Sequence, residues 1–368
     1  MAQIYLIGVR GIPNRYGGFE RLVEVLAPHL VRQGHMVTVF CEGGAAPPND
    51  DLWQGVHRRF IPVETTGPRG TLAYDWRAFG EVPRGGVALI FGYGTALYQW
   101  RLRRRGVRHA VNMDGLEWQR QKWGPLARLW LRLNERAAVA FADLLIADHP
   151  SIQIDLERRL GASSTMIAYG VDLPPPAAPA ATMALPAGLQ TDDYLLVIAR
   201  PEPENQIHLL LQAHARSGSR LPLVVVGQFD ENAYGRELRR QHPEVRFLGP
   251  IYDAALLDTL RRHCRLYLHG HSVGGTNPSL IEAMAAGAPV VAHDNPFNRW
   301  VLGDRGGWFF RDVEALTATL ASPPSDTGRR DAVAAARESC RERFLWADIL
   351  AAYGRIVDRL ADPTFKAD

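Results

Sequence analysis

Short apolar runs alternate with helix-like segments along this chain, and the alternation occurs in two series. The first series opens with the apolar run Gln3–Val9, the amphipathic segment Tyr16–Arg32 and the β-branched run His35–Phe40. This order predicts a strand, a glycine loop, a helix and a second strand, which is the opening of a parallel α/β sheet. Continuous apolar runs suit such strands because both faces of a parallel sheet are buried. The later runs that we predict as strands here are Val87–Phe91, Ala110–Met113 and Leu144–Ala147.

A proline-rich segment separates the two series, and we place this linker at residues 173–189. Its prolines favour extended geometry over helix. We therefore predict one Rossmann-like domain over residues 1–172 and a second over residues 190–345. Ligand binding in a cleft between the two domains is the usual use of such an arrangement, and two independent domains in tandem are the alternative. The runs predicted as strands of the second domain are Tyr194–Ile198, Leu221–Val226, Val245–Leu248, Leu266–Leu268 and Pro289–Ala292.

The overall composition excludes several classes of protein. The net charge of +3 over 368 residues is too small to indicate a nucleic-acid partner. The charge is uneven, with +5 on residues 1–172 and −2 on the remainder, which favours an anionic partner or a membrane surface for the first half. Cys41, Cys264 and Cys340 lie far apart, so neither zinc nor a disulfide framework is indicated. Without a signal peptide or an apolar run of about 20 residues, we expect a cytoplasmic protein.

The segment His269–Met284 has the strongest chemical pattern of the chain. Gly274 and Gly275 lack side chains, so a ligand can approach the backbone closely. Asn277 is a favourable N-cap residue, and Pro278 suits the first position of a helix. The free amides and the positive dipole end at such a helix start bind phosphate groups.

Glu282 lies one turn inside this predicted helix, above Pro278. From there its carboxylate can accept hydrogen bonds from ribose hydroxyls, while the amides around Thr276 hold the phosphates. His271 and the preceding His269 can supply further donors, although they lack the third ligand that zinc requires. The alternative is a well-capped structural helix with a solvated glutamate.

The sequence from Pro278 to Val291 resembles the signature of glycosyltransferase family 4, which has the GT-B fold. The resemblance implies two Rossmann-like domains facing a central cleft, with Glu282 on the nucleotide ribose. It also implies that residues 346–368 form a helix crossing back to the N-terminal domain, after Phe344–Trp346. The implied activity is sugar transfer with retention of anomeric configuration, without a cofactor or a metal ion.

Two positions depart from the family pattern. Gly274 stands where the family has a second glutamate, eight residues before Glu282, so the catalytic role of that glutamate has no counterpart here. Asn205 stands where the family has the lysine that follows, five residues later, an arginine equivalent to Arg200. One diphosphate-binding cation is therefore kept, and its forked guanidinium can still hold two phosphate oxygens. The pattern from His269 to Leu280 is similar to that of bacterial capsule β-1,4-rhamnosyltransferases.

The N-terminal sequence Gly8–Glu20 is similar to the opening motif of the same subgroup. Gly17 and Gly18 form a close-approach loop ahead of the first helix, and we assign them to donor binding. Arg10, Arg15 and Tyr16 are our candidates for the acceptor side. A tight structural turn is the alternative for the glycines. The spacing is not that of a nicotinamide-binding loop.

Asp114 and Glu117 follow a predicted strand, at an edge where parallel sheets present functional side chains. In the broader family a catalytic histidine or aspartate occupies this area. We therefore predict that Asp114, with Glu117 as second candidate, orients or deprotonates the acceptor hydroxyl. A solvated acid at a helix start is the alternative for Glu117. The donor phosphate itself is an alternative base.

Two basic, tryptophan-containing stretches in the first domain suggest attachment to an anionic membrane surface, Trp100–Arg108 and Arg120–Arg136. A solvated basic face is the alternative for both. Taken together, the resemblance implies transfer of L-rhamnose from dTDP-rhamnose to a lipid-linked saccharide, at the inner face of the plasma membrane. The alternatives are a sugar-nucleotide 2-epimerase and a non-catalytic subunit that binds nucleotide sugars.

Overall fold

The computed structural model describes residues 1–15, 17–65, 67–120, 123–174 and 184–365. Its contacts divide the chain into two compact units. The first unit contains Met1–Gln119, Trp123–Tyr169 and Ala347–Asp368, and the second contains Arg120–Lys122 and Gly170–Trp346. The chain therefore enters the second unit at Gly170 and returns to the first after Trp346.

The first unit is built on an eight-stranded sheet in the order β3-β4-β2-β1-β5-β6-β7-β8. The pairs are parallel except for the β3–β4 edge. The central strands are the most apolar and β5 is buried along its whole length, as expected for strands covered on both faces. The strands are β1 (Gln3–Ile7), β2 (Met36–Glu42), β3 (Asp51–Trp53), β4 (Val56–Ile61), β5 (Val87–Phe91), β6 (Arg108–Asn112), β7 (Leu144–Ala147) and β8 (Thr165–Met166).

Five helices connect these strands. They are α1 (Gly18–Arg32), α2 (Gly67–Glu81), α3 (Trp100–Arg104), α4 (Pro125–Phe141) and α5 (Pro150–Leu160). The ends of α5 show why the sequence folds this way. Its N-cap His149 accepts a hydrogen bond from the Ser151 amide (3.0 Å), Pro150 occupies the first turn, and Gly161 ends the helix with φ +63°.

The second unit is a six-stranded, wholly parallel sheet in the order β11-β10-β9-β12-β13-β14. This is the strand order of a Rossmann fold, with the chain reversing direction across the sheet between β9 and β12. The strands are β9 (Leu195–Ile198), β10 (Leu223–Val226), β11 (Arg246–Gly249), β12 (Leu266–His269), β13 (Val290–His293) and β14 (Trp308–Phe310).

Seven helices belong to the second unit: α6 (Ile207–Ser217), α7 (Ala233–Gln241), α8 (Ala254–His263), α9 (Pro278–Ala286), α10 (Pro296–Leu302), α11 (Val313–Ala321) and α12 (Asp326–Arg343). Six of them begin at a side chain that accepts a hydrogen bond from a first-turn amide, which fixes where each helix starts. These caps are Asn232, Asp253, Asn277, Asn295, Asp312 and Ser325.

The last helix, α13 (Trp346–Ala361), starts in the second unit and continues in the first. The Trp346 ring covers Gly170 so closely that a Cβ atom there would lie 2.3 Å from the ring. Further along, the Asn112 amide donates to the Tyr353 hydroxyl (2.7 Å) and anchors α13 on the first unit.

The strands predicted from apolar runs are present, with ends shifted by at most two residues. The sequence analysis did not predict β3, β4, β8 and β14. Strand β3 is too short to show a pattern, and β4 has three consecutive polar residues at its centre, so neither forms an apolar run. Eight residues of the predicted linker 173–189 are described, and its central part, 175–183, lies outside the described residues.

Candidate functional site

Several residues predicted to bind the nucleotide-sugar donor lie where the strand order of the second unit reverses, between β9 and β12. Arg200 comes two residues after β9, and the His269–Gly270–His271 sequence ends β12 beside it. A Cβ atom at Gly270 would lie 2.4 Å from the Asn205 carbonyl oxygen, so only glycine fits between these two strand ends. Ligands of open α/β sheets bind at this type of crevice.

The start of α9 lies directly after the β12 loop. The Asn277 side chain accepts a hydrogen bond from the Ser279 amide (3.0 Å), and Pro278 occupies the first turn. Gly274 has φ +147°, and no atom lies within 4 Å of the place where its Cβ would stand. Thr276 is buried, whereas Gly275 is partly exposed. The helix start therefore combines a tight cap with unoccupied space at the preceding glycine.

Positive charge is concentrated around His271. Burial, followed by the nearby charges of Arg200 and Arg120, lowers the pKa of His271 to about 3. Its ring stacks on that of His269, with centroids 4.3 Å apart. The pKa of His269 lies well below its usual value because of burial, and then because of the two neighbouring histidines. Both rings are therefore neutral, and the positive potential comes from the arginines.

The carboxylate of Glu282, which we predicted to bind ribose, has a protein partner. It forms an ion pair with Arg261 of α8, a residue that is itself buried. The Glu282 side chain keeps 30% of its surface exposed, so it remains accessible from the α9 start. The sequence analysis missed Arg261. Its only signal was a cation at a position on the apolar face of a predicted helix, beside Leu257 and Leu260.

The side chain of Asn205, the other residue predicted to contact phosphate, is hydrogen-bonded to the backbone. Its buried side-chain amide donates to the Arg200 carbonyl (2.9 Å), so it shapes the turn that carries Arg200. The Ser272 amide and hydroxyl both donate to the Glu204 carbonyl (3.0 and 2.9 Å), which ties this turn to the β12 loop. The Glu204 carboxylate is buried, 3.8 Å from the Arg120 guanidinium. Sequence reasoning did not single out Glu204.

In the first unit, the loop between β1 and α1 has backbone amides that are hydrogen-bonded to acidic side chains. The Arg10 amide donates to Glu20 (3.1 Å) and the Asn14 amide donates to Glu24 (3.0 Å). A Cβ atom on Gly17 would lie 3.2 Å from the Glu20 carboxylate. Gly18 is the first residue of α1, and the side chains of Arg10 and Arg15 are exposed. Tyr16, our third acceptor-side candidate, lies outside the described residues.

Asp114 and Glu117 lie in the loop after β6, also in the first unit. Asp114 accepts a hydrogen bond from the Gly115 amide (2.9 Å). The Glu117 amide donates to the Tyr93 hydroxyl (3.0 Å), and its carboxylate accepts from the Trp123 indole (3.0 Å). The Glu117 carboxylate is therefore hydrogen-bonded within the protein, and Asp114 accepts the amide of the residue that follows it.

The predicted site residues therefore form two groups, one in each unit. Among the described residues, no cluster of three or more histidine, cysteine or acidic side chains has a geometry that would hold a metal ion. The helices described in the structure are also too short or too polar to cross a membrane. The first-unit group is Arg10, Arg15, Gly17, Gly18, Asp114 and Glu117, and the second-unit group is Arg200, Asn205, His271, Gly274, Gly275, Thr276, Asn277 and Glu282.

Residues 187–338, which contain the whole second-unit group, match the model of the family described as Glycosyl transferases group 1. This part of the chain therefore resembles the group 1 glycosyl transferases. The match agrees with the predicted class of enzyme for these residues. Residues 87–172 match a second model, described as a domain of unknown function (DUF1972), which covers Asp114 and Glu117.

Curated relatives of this chain include the phosphatidyl-myo-inositol mannosyltransferases of Mycolicibacterium smegmatis and Mycobacterium tuberculosis. The first is 30% identical over 231 residues, or 58% of this chain and 57% of that protein. The second is 30% identical over 226 residues, or 56% and 58%. The chain thus aligns with little more than half the length of these relatives. Neither of them is a rhamnosyltransferase by name.

Solved structures resemble the chain over nearly its full length. Sucrose-phosphate synthase from Thermosynechococcus elongatus has a TM-score of 0.78 at 20% identity, covering 98% of this chain and 99% of that one. HepE from Anabaena in complex with UDP-glucose has a TM-score of 0.74 at 17% identity, covering 97% and 100%. At these identities the likeness concerns the fold, and it confirms the predicted GT-B class with two Rossmann-like domains.

Proposed function

We propose that this chain is a retaining glycosyltransferase that moves a hexosyl group from a nucleoside diphosphate sugar to a lipid-linked saccharide. The observation that supports it is the positive half-site of the group 1 domain, where Arg200 and the capped α9 start lie together. A diphosphate placed there accepts hydrogen bonds from the amides of Gly275–Asn277 and from Arg200. Glu282, oriented by Arg261, then accepts from the ribose hydroxyls.

The reaction breaks the bond between the anomeric carbon and the diphosphate oxygen. A bond from the same carbon to the acceptor oxygen forms on the same face, and the acceptor proton passes to the departing phosphate or to Asp114. Charge builds on the diphosphate as it leaves, so cationic and amide donors that are already in place lower the barrier. This chemistry needs no metal ion, and we propose that none is bound.

We further propose dTDP-L-rhamnose as the donor. Gly274 supplies no side chain to bind sugar hydroxyls, which suits a deoxysugar that presents one hydroxyl fewer than mannose. The mannosyltransferase names of the curated relatives make GDP-mannose the competing candidate. We propose that the enzyme works at the inner face of the plasma membrane in surface-polysaccharide synthesis, because its acceptor is lipid-linked.

The test begins with thermal unfolding in the presence of dTDP, UDP and GDP and their sugars. At a fixed ligand concentration, a ligand that binds only the folded state raises the melting temperature more the more tightly it binds. We expect the largest increase with dTDP-rhamnose, and sugar transfer from it to a lipid-linked saccharide. Mannose transfer from GDP-mannose would overturn the donor assignment alone. Donor turnover without acceptor would instead indicate a 2-epimerase, and tight binding without any product would indicate a non-catalytic subunit.

A further inference from the structure

The two basic stretches of the first unit have different surroundings. In Trp100–Arg108 the arginines at 101, 103, 105 and 108 all donate to backbone carbonyls of neighbouring elements, and Arg104 lies over the Trp100 ring. These side chains join α3 and β6 to the rest of the unit. The carbonyl acceptors belong to Trp76, Val82, Ala140, Phe141 and Leu360.

Helix α4, in the second basic stretch, exposes a row of leucines. Leu126, Leu129 and Leu133 are 84%, 55% and 46% exposed. With 3.6 residues per turn, these positions lie within about 60° of one another on the helix surface. They form one apolar strip, which we call the leucine ridge. Large apolar side chains that are exposed singly need no explanation, but an aligned group marks a binding surface.

Arginines occupy the helix face beside the leucine ridge. Arg128, Arg132 and Arg136 follow one another at intervals of four residues. Arg132 and Arg136 are exposed, Arg132 with its guanidinium over the Trp118 ring (4.4 Å), and Arg128 is half-buried. The one acid of α4, which is described along its whole length, is Glu135. It is buried and pairs with Arg159 (2.7 Å), so it does not neutralise the outer face. The exposed side of α4 therefore carries both apolar side chains and positive charge that no acid of α4 neutralises.

We propose that the leucine ridge of α4 inserts into an anionic lipid surface, with Arg128, Arg132 and Arg136 at the headgroups. Helices that lie in a membrane interface have this combination of leucine and basic side chains. A second copy of the chain is a poorer occupant, because pairing two such faces brings together two arginine rows. The inference rests on the proposed function only in that the acceptor is lipid-linked. It assigns membrane attachment to α4 and not to Trp100–Arg108.

The test compares two sets of leucine-type substitutions on the full chain. The first variant carries Leu126→Ser, Leu129→Ser and Leu133→Ser. The matched control carries Leu52→Ser and Ile154→Ser, which are also exposed apolar residues of the first unit. Binding is measured by co-sedimentation with phosphatidylcholine vesicles containing phosphatidylglycerol. We expect the ridge variant to bind about tenfold more weakly or worse, since binding scales with buried apolar area. The control should bind like wild type.

Circular dichroism confirms folding of both variants, and calorimetry with the nucleotide sugar reports on the donor site separately. Equal vesicle binding by wild type and the ridge variant overturns the proposal, as does a wild-type chain that binds no vesicles. A wild-type dimer that the ridge substitutions convert to monomer, seen by light scattering, assigns the ridge to a second copy. Vesicle binding through the ridge without donor binding leaves this inference standing and removes the proposed function.

Discussion

The two units contain the same local arrangement with opposite electrostatics. In each, a strand at the reversal point of the sheet leads through a glycine-containing loop into a helix, α1 in the first unit and α9 in the second. In the α1 loop, the Arg10 and Asn14 amides donate hydrogen bonds to the carboxylates of Glu20 and Glu24. The α9 loop instead has a neutral asparagine cap, open space at Gly274, and two arginine charges nearby, one of which, Arg120, lies 3.8 Å from the Glu204 carboxylate.

The difference shows which of two similar loops can take a phosphate. Amides that already hydrogen-bond a carboxylate are not available to an anion, and the carboxylate repels it. We infer that the α1 loop is a self-contained structural element. The donor-binding role of Gly17 and Gly18 stays a prediction, which the substitutions below test. The α9 loop keeps the positive end of a helix open. Substitutions in matching positions of the two loops test this comparison.

The largest expected effect is that of removing Arg200. Arg200→Ala should lower kcat by about 10²–10³-fold, the usual loss for one charge-stabilising donor at a reacting centre. Arg15→Ala is the matched comparison, because Arg15 is also an exposed arginine in the loop after the first strand of its unit. As an acceptor-side candidate, Arg15 should affect the KM for the acceptor and leave kcat near that of wild type. Steady-state rates with saturating donor and varied acceptor measure both variants. Equal losses would mean that the two loops do not differ in the way that we describe.

The α9 loop was the part of the site most accessible from sequence. Asn277, Pro278 and Gly287 each have a local chemical preference for their position at a helix end, and the structure places them there. The alternation of apolar runs likewise predicted both sheets. By contrast, Arg261 lies 21 residues from Glu282, and Glu20 bonds to an amide ten residues away. Pairings of this kind depend on how the elements pack, and no local pattern encodes them.

Substitutions of the Arg261–Glu282 ion pair can distinguish an effect on donor binding from an effect on stability. Glu282→Ala should weaken nucleotide binding about tenfold and also cost about 3 kcal/mol of stability, because the buried Arg261 loses its shorter ion pair and keeps the 3.4 Å contact with Asp258. Adding Arg261→Met removes this poorly compensated charge and should restore much of the stability without restoring binding. Calorimetry and thermal unfolding measure the two effects. Recovery of nucleotide affinity in the double variant would show that Glu282 does not contact the donor.

Glu20 should affect stability but not donor binding. Glu20→Ala removes the acceptor of the Arg10 amide and should cost about 1–2 kcal/mol, the usual cost of a lost hydrogen bond to a charged group. Glu20→Gln keeps an accepting oxygen and should retain most of that stability. Denaturant unfolding gives the free energies, and calorimetry the affinity. A loss of donor affinity in Glu20→Gln would place the α1 loop in the donor site after all.

The pH dependence of stability should differ between the two units. Burial lowers the pKa of His271 to about 3, so the unfolded chain takes up a proton first as pH falls below 6.5, and stability decreases on the acid side. In the first unit, burial raises the pKa of Asp75 from 3.8 to about 7, despite a hydrogen bond from Thr95 (2.8 Å). There the unfolded chain loses its proton first, and stability decreases as pH rises from 3.8 to 7. Each slope is at most about 1.4 kcal/mol per pH unit.

Substitution of each residue isolates its own slope. Relative to His271→Gln, wild type should lose free energy of unfolding as the pH falls. Relative to Asp75→Asn, wild type should lose free energy of unfolding as the pH rises toward neutrality, because the amide keeps a neutral group beside Thr95. Urea unfolding between pH 4 and pH 7 measures both, with the interval set by the two pKa values. Slopes of the same sign would show that the buried acid and the buried base do not distinguish the two units, and the electrostatic contrast would then be confined to the α1 and α9 loops.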